Sequence, residues 1–262
     1  NLYFFLESAS HAGRWGGHVA HFWSLAVEEQ FYLVWPWVIL FTPRAQLPKV
    51  ALAMIGFGPV FRGVVAYATG NELASILTPG CIDSLGLGAY LAMTAAPEFA
   101  SHPQVRPLGV WAVWAGLLLF ALHQLAGESV QWGLFRIVAF DLAVALPAAW
   151  LVAGAAKGFQ GPAGRVLELA PLRYLGTISY GIYVYHLMLP DLFTRAARLL
   201  GHPDLFRGLG DQTAIYFAFY SAASVVVAAI SWHCFEAPIN RLKARVGYVR
   251  QAPVSSRLDS AA

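Results

Sequence analysis

His21-Phe22-Trp23-Ser24-Leu25-Ala26-Val27-Glu28-Glu29-Gln30-Phe31-Tyr32-Leu33-Val34-Trp35-Pro36 opens a long apolar segment, yet it carries a histidine, a hydroxyl, two adjacent carboxylates and an amide. A charged side chain at the centre of a membrane helix costs roughly 2.5–3.5 kcal/mol on the insertion scale. Such residues persist where they face a packed interior or a wet cavity. On a helical period Ser24 and Glu28 are i,i+4 neighbours, with His21 one turn before and Tyr32 one turn after, so the four are expected to share one face. Glu29 is turned about 100° away. Pro36 removes a backbone donor and is expected to bend the helix near Tyr32.

The rest of the chain has the same apolar character. Of 262 residues, 58% are hydrophobic and 12% charged, and the mean hydropathy is +0.57. A soluble domain carries about 25% charged residues, so half the usual charge is absent and the apolar residues fall in blocks too long for a soluble core. A helix needs ~20 apolar residues to cross a bilayer. That criterion gives seven spans, at residues 19–41, 50–69, 78–95, 108–126, 131–155, 174–192 and 214–235. The expected fold is all-α, a polytopic membrane helix bundle of about seven transmembrane helices. Residues 1–245 form the membrane domain and 246–262 a disordered cytoplasmic tail. The third span is short, and Gly86 and Gly88 are expected to let neighbouring backbones approach. Cys81 and Cys234 have no zinc or redox spacing and read as small packing residues. No histidine set has metal-ligand spacing, and no basic run with interleaved aromatics suggests nucleic acid.

Loop charge sets an orientation. Eleven basic residues, including Arg44, Lys49, Arg106, Arg165, Arg173 and Arg241, fall on one side, against four (Arg14, Arg195, Arg198, Arg207) on the other. The positive-inside bias places Asn1 outside and the C-terminus in the cytoplasm. Glu28, Glu29, Asp83, Arg62, Arg136, Asp141 and His186 then all fall in the outer half of the membrane. One wet cavity there costs less than several isolated buried charges. Arg62 or Arg136 is expected to pair with a carboxylate on another helix, because Arg136 and Asp141 are five residues apart and do not stack on one face. Ser179, Tyr183 and His186 share a face of the sixth span at i, i+4 and i+7. Glu236, at the inner end of the seventh, is expected to be structural.

Three blocks of this sequence resemble the acyltransferase-3 family of integral membrane enzymes that O-acylate sugars and other envelope acceptors. They are Trp23-Ser24-Leu25-x-x-Glu28-x-Gln30-Phe31-Tyr32, then Thr78-Pro79 followed by Asp83-x-Leu85-x-Leu87-Gly88-Ala89, and Ser179-Tyr180-Gly181-Ile182-Tyr183-x-Tyr185-His186 with the closing Phe235-Glu236-x-Pro238. Cys81 stands where the family has arginine, and Tyr185 where tryptophan is common. The resemblance implies ten helices with a catalytic histidine on the first. Seven spans beginning outside are the expectation for a family protein without its first three helices, a chain expected to be poorly stable and inactive by itself.

The resemblance also implies transfer of an acyl group, acetyl as the expected one, from acyl-CoA to a hydroxyl of a carbohydrate or lipid-linked envelope acceptor in the bacterial cytoplasmic membrane. No tightly bound cofactor is implied. A base takes the acceptor proton as the hydroxyl attacks the thioester, and a carboxylate can orient that base. Glu28 and His186 are the candidate catalytic residues. Trp23, Ser24, Gln30, Tyr32, Arg62, Asp83, Arg136, Asp141 and Tyr183 are the candidate substrate-binding residues. The alternatives are a sugar permease or flippase, which the same buried charges suit, and an inactive fragment. Cysteine labelling in intact cells checks the orientation: sites near Arg44, Arg106, Arg165 and Arg245 are expected to be protected, and sites near Glu72, Glu128 and Asp204 labelled. Labelling from outside at Arg245 would reverse the assignment.

Overall fold

A computed structural model of the protein describes residues 21–70, 72–125, 130–202 and 213–243. The tail 246–262 and the loop residues around Glu128 and Asp204 lie outside the described residues. The described residues contain helices and no strand. The chain is a membrane helix bundle that divides into two compact units, Asn1–Val166 and Leu167–Ala262.

The first unit holds α1 (Trp23–Phe41), α2 (Leu47–Thr69), α3 (Ile82–Ala95), α4 (Trp111–Leu125) and α5 (Val130–Lys157), and ends within α6 (Gly161–Leu167). Helix α2 packs along α3 and α4 along α5, while α5 also reaches α2 and α3. Small residues set these contacts. A Cβ on Gly86 would lie 2.7 Å from Met54 Cβ and 3.0 Å from the Ala51 carbonyl oxygen, so α2 and α3 approach closely there. Gly88 has nothing within 4 Å and lines a cavity instead, so only one of the two glycines acts as the sequence suggested. Gly116 on α4 sits against Pro147 of α5 and 2.8 Å (from its would-be Cβ) from the Ala143 carbonyl. That carbonyl is the one Pro147, four residues on, cannot bond. At the far end Leu47, Ala51, Tyr90, Met93, Phe99 and Val105 form an apolar core. The Tyr90 hydroxyl closes it by accepting from Arg106 N–H at 2.9 Å.

The second unit holds α7 (Ala170–Thr177), α8 (Ser179–Tyr185), α9 (Leu189–Leu199) and α10 (Thr213–Ser231). Helix α10 continues through a π segment, Trp232–Glu236, into α11 (Ala237–Lys243). A Cβ on Gly181 would meet Ala228 at 3.1 Å, so α8 and α10 are in close contact.

The count of seven full spans changes at particular places. Arg44–Thr69, Gly133–Lys157 and Ala214–Leu242 are long and apolar enough to cross a membrane by length and composition, and Trp111–Leu125 is a shorter apolar helix. Helix α3 has 14 residues, about 21 Å at 1.5 Å per residue, short of a ~30 Å hydrocarbon core. The expected sixth span, 174–192, is not one helix. It is broken at Ile178, the residue between α7 and α8, and again at 186–188.

The close approach at Gly86 predicts a specific fragility. Gly86→Val forces Met54 and the Ala51 backbone aside and should cost about 1–3 kcal/mol, read as a lower unfolding midpoint in nanodiscs. Gly88→Ala, facing open space, should leave the midpoint within experimental error. Equal effects would contradict the packing.

Candidate functional site

Arg62 on α2 is fully buried, and five residues on three other elements contact it. Its Nη2 donates to Asp83 Oδ2 at 2.8 Å and its Nη1 to Asp83 Oδ1 at 3.1 Å, a two-pronged pair with α3. Nε donates to the Ile137 carbonyl at 3.1 Å and Nη2 to the Val138 carbonyl at 3.0 Å, both on α5. Nη1 also donates to the Gly80 carbonyl in the turn before α3. Asp141 Oδ2 lies 3.0 Å from Nη1, completing a cation with two carboxylates. Glycines make the room. A Cβ on Gly58 would sit 2.8 Å from Asp83 Cγ, and one on Gly63 would sit 3.1 Å from Val138.

The expected pairing of Arg62 with a carboxylate on another helix is therefore present, and with two of them. Arg62 and Asp83 are each 0% exposed and satisfy one another. They are placed as the frame of the site, with no surface to offer a ligand in this structure. Asp141 is different: its side chain is 29% exposed. It lines a cavity of about 260 Å³ with Ser75, His123, Arg136 and Phe140. On its other side it borders a more apolar cavity of about 430 Å³ with Ser84, Gly88 and Phe140. Arg136 has no carboxylate within 4.0 Å among the described residues.

The signature helix corrects the sequence reading. His21 and Val27 are buried, and Phe31 stacks on Trp35 at 5.1 Å. Glu28, Glu29 and Tyr32 are exposed. Glu28 was expected to turn inward with Ser24, but Val27, about 100° round the helix from it, takes the buried position. Ser24 bonds back to the His21 carbonyl at 3.3 Å. Trp23 is half-buried. Gln30 accepts from the Thr78 hydroxyl, which joins two of the sequence blocks. Glu29, Gln30, Tyr32 and Leu33 line an open groove.

In the second unit, His186 Nδ1 lies 2.7 Å from the Tyr183 carbonyl. A carbonyl only accepts, so Nδ1 carries the proton and Nε2 is the basic nitrogen of the neutral ring. Tyr183 is half-buried, its ring 5.8 Å from that of His186. Around the π segment, the Tyr185 hydroxyl is 3.2 Å from Ser231 Oγ, which donates to Glu236 at 3.3 Å. Tyr174 meets His233 Nε2 at 3.1 Å. Glu236 thus closes a side-chain bridge between α8 and the end of α10. Cys81 and Cys234 are both free thiols.

Sequence reasoning passed over His123 on α4, treating His186 as the in-span histidine. The signal available was its position near the end of an apolar span. Its significance shows only in three dimensions, where its Nδ1 is buried without a partner and its ring lies 5.0 Å from that of Phe140.

The Acyltransferase domain family matches residues 2–233. The chain belongs to this family. Peptidoglycan O-acetyltransferase OatA of Listeria monocytogenes is 27% identical over 255 residues, covering 92% of this chain and 38% of that protein. O-acetyltransferase OatA of Staphylococcus aureus is 30% identical over 185 residues, covering 63% of this chain and 28% of that protein. The chain thus spans well under half the length of these relatives. No solved structure matches it. All three blocks that carried the resemblance begin within the matched residues.

The Arg62 cluster predicts unequal losses. Arg62→Met leaves Asp83 buried and unpaired and should destabilise by about 3–5 kcal/mol. Asp141→Asn, at a partly exposed site, should cost clearly less. Thermal unfolding in nanodiscs reads both, and equal losses would contradict the assigned roles.

Proposed function

We propose that this chain is the membrane acyltransferase part of an enzyme that moves an acyl group, acetyl as the expected one, from acyl-CoA to a hydroxyl of an envelope carbohydrate. The observation that carries the reading is the family match over nearly the whole chain, with relatives named for peptidoglycan O-acetylation. The geometry supports it. A transferase needs a base for the acceptor hydroxyl and donors for the thioester carbonyl, which develops negative charge as the oxygen attacks. The hydroxyl proton passes to the base, the new ester bond forms, and the thiolate of CoA leaves.

His186 is the proposed second base or acceptor ligand, beside the catalytic histidine that the family resemblance implies. Its Nδ1 proton is held by the Tyr183 carbonyl, which fixes the ring's tautomer with Nε2 able to take a proton. Glu28, in the first unit, is the proposed catalytic carboxylate. A donor carrying phosphates suits the basic loops, with Arg44 at the rim of an apolar cavity of about 640 Å³ formed by Trp35, Leu40, Met93 and Phe99. The proposed location is the bacterial cytoplasmic membrane, with the Arg44 end inside.

Acetyl transfer from acetyl-CoA, measured with the full-length protein in nanodiscs, tests the reading. His186→Ala should lower transfer by about 10²–10⁴, the range for losing a general base, at unchanged protein abundance. Glu28→Gln should lower it by about tenfold or more, and Glu29→Gln should matter less. The reverse order would move the role to Glu29, which shares its groove with Gln30 and Tyr32. Wild-type protein that binds sugar but never transfers acetyl would overturn the reading in favour of a permease.

A further inference from the structure

The cavity of about 260 Å³ beside Asp141 has the chemistry of a sugar subsite. It has room for several waters, and so for a small polar ligand. Its polar groups are Ser75, His123, Arg136 and Asp141, and Phe140 supplies an aromatic wall. A few placed polar groups on an apolar, aromatic surface are the usual make-up of a small-ligand site.

The charges favour an uncharged ligand. Arg62 and Arg136 together balance Asp83 and Asp141, so the cluster is neutral before anything binds. Hydroxyls both donate and accept, and the cavity offers both kinds of partner. Asp141 only accepts and Arg136 only donates. Asp141 is held in place by Arg62 at 3.0 Å, while Arg136 has no carboxylate within 4.0 Å among the described residues.

His123 adds a second donor. Its Nδ1 is buried with no partner. A buried N–H without a partner is costly, which favours the tautomer with the proton on Nε2. His123 lines the cavity while its Nδ1 has no accessible surface, which leaves Nε2 as the ring nitrogen available to a ligand.

The geometry points to an acceptor-sugar subsite in this cavity, with His123 Nε2–H and Arg136 donating to ring substituents, Asp141 accepting from a hydroxyl, and Phe140 against the sugar's apolar face. The assignment deepens the proposed function, resting on it only for the ligand's place as acyl acceptor. His123 binds there as a donor and does not serve as the base.

The test uses full-length protein in nanodiscs and chitobiose, the N-acetylglucosamine disaccharide, as probe. Equilibrium binding is read without any acyl donor, so it stands apart from the transferase reading. His123→Ala and Arg136→Ala should each weaken binding by about tenfold, as expected for losing a hydrogen bond to the ligand. His123→Asn, which keeps an N–H donor, should recover part of the loss. In transfer assays the same variants should raise the KM for sugar and leave the KM for acetyl-CoA unchanged. Unfolding midpoints of the variants identify any that fail to fold, and Arg136→Gln then replaces Arg136→Ala. Sugar binding unchanged in folded variants of both His123 and Arg136 would overturn the subsite. An effect confined to the acetyl-CoA KM would overturn it equally, by assigning the cavity to the donor.

Discussion

A guanidinium cannot be left unsatisfied inside a membrane protein, and the first unit is arranged around that constraint at Arg62. Its N–H groups point in fixed directions and none can be neutralised by losing a proton at ordinary pH. Each must therefore find an oxygen, and the oxygens come from the Asp83 carboxylate, the Gly80 turn, two carbonyls of α5 and Asp141. Satisfying them fixes the separation of α2, α3 and α5 together. A Cβ on Gly58 would sit 2.8 Å from Asp83 Cγ, so a larger residue there would displace the carboxylate, while Gly63 lets α2 approach the Val138 side chain.

The same constraint shapes the site. One cation serves two carboxylates, and they are not equivalent. Asp83 takes the buried, two-pronged position, while Asp141 keeps one oxygen on the guanidinium and part of its surface open to a cavity. Structural and chemical duties are thereby separated along a single chain of contacts. The buried pair costs desolvation and holds the helices, and the partly exposed carboxylate is presented at a defined place beside Arg136 and His123.

The sequence showed that the intramembrane charges had to meet one another, because their cost in hydrocarbon allows little else. Arg62 with Asp83 and Asp141 follows from that argument. Facing and breaks were less legible. Glu28 and Val27 are adjacent, about 100° apart on the helix, so the rotational setting of one helix decides which is buried, and Val27 with the stacked Phe31 and Trp35 wins on apolar area. The break of the sixth span at 186–188 is marked in sequence by Pro190, in the first turn of α9, a signal the reading of one continuous span passed over. His123 was invisible as a site residue for another reason: an orphaned nitrogen is a property of the fold, not of the residue's neighbours in sequence.

The central claim is that Arg62 ties three helices and holds Asp141 at the cavity. Its most direct test is an experimental density map of the full-length protein in a lipid nanodisc, at a resolution that shows side chains. The account predicts continuous density from the Arg62 guanidinium to both the Asp83 and Asp141 carboxylates, with the α5 carbonyls at 137 and 138 closing the arginine's other side. An Arg62 side chain directed to lipid or headgroups, or an Asp141 turned away from it, would contradict the account.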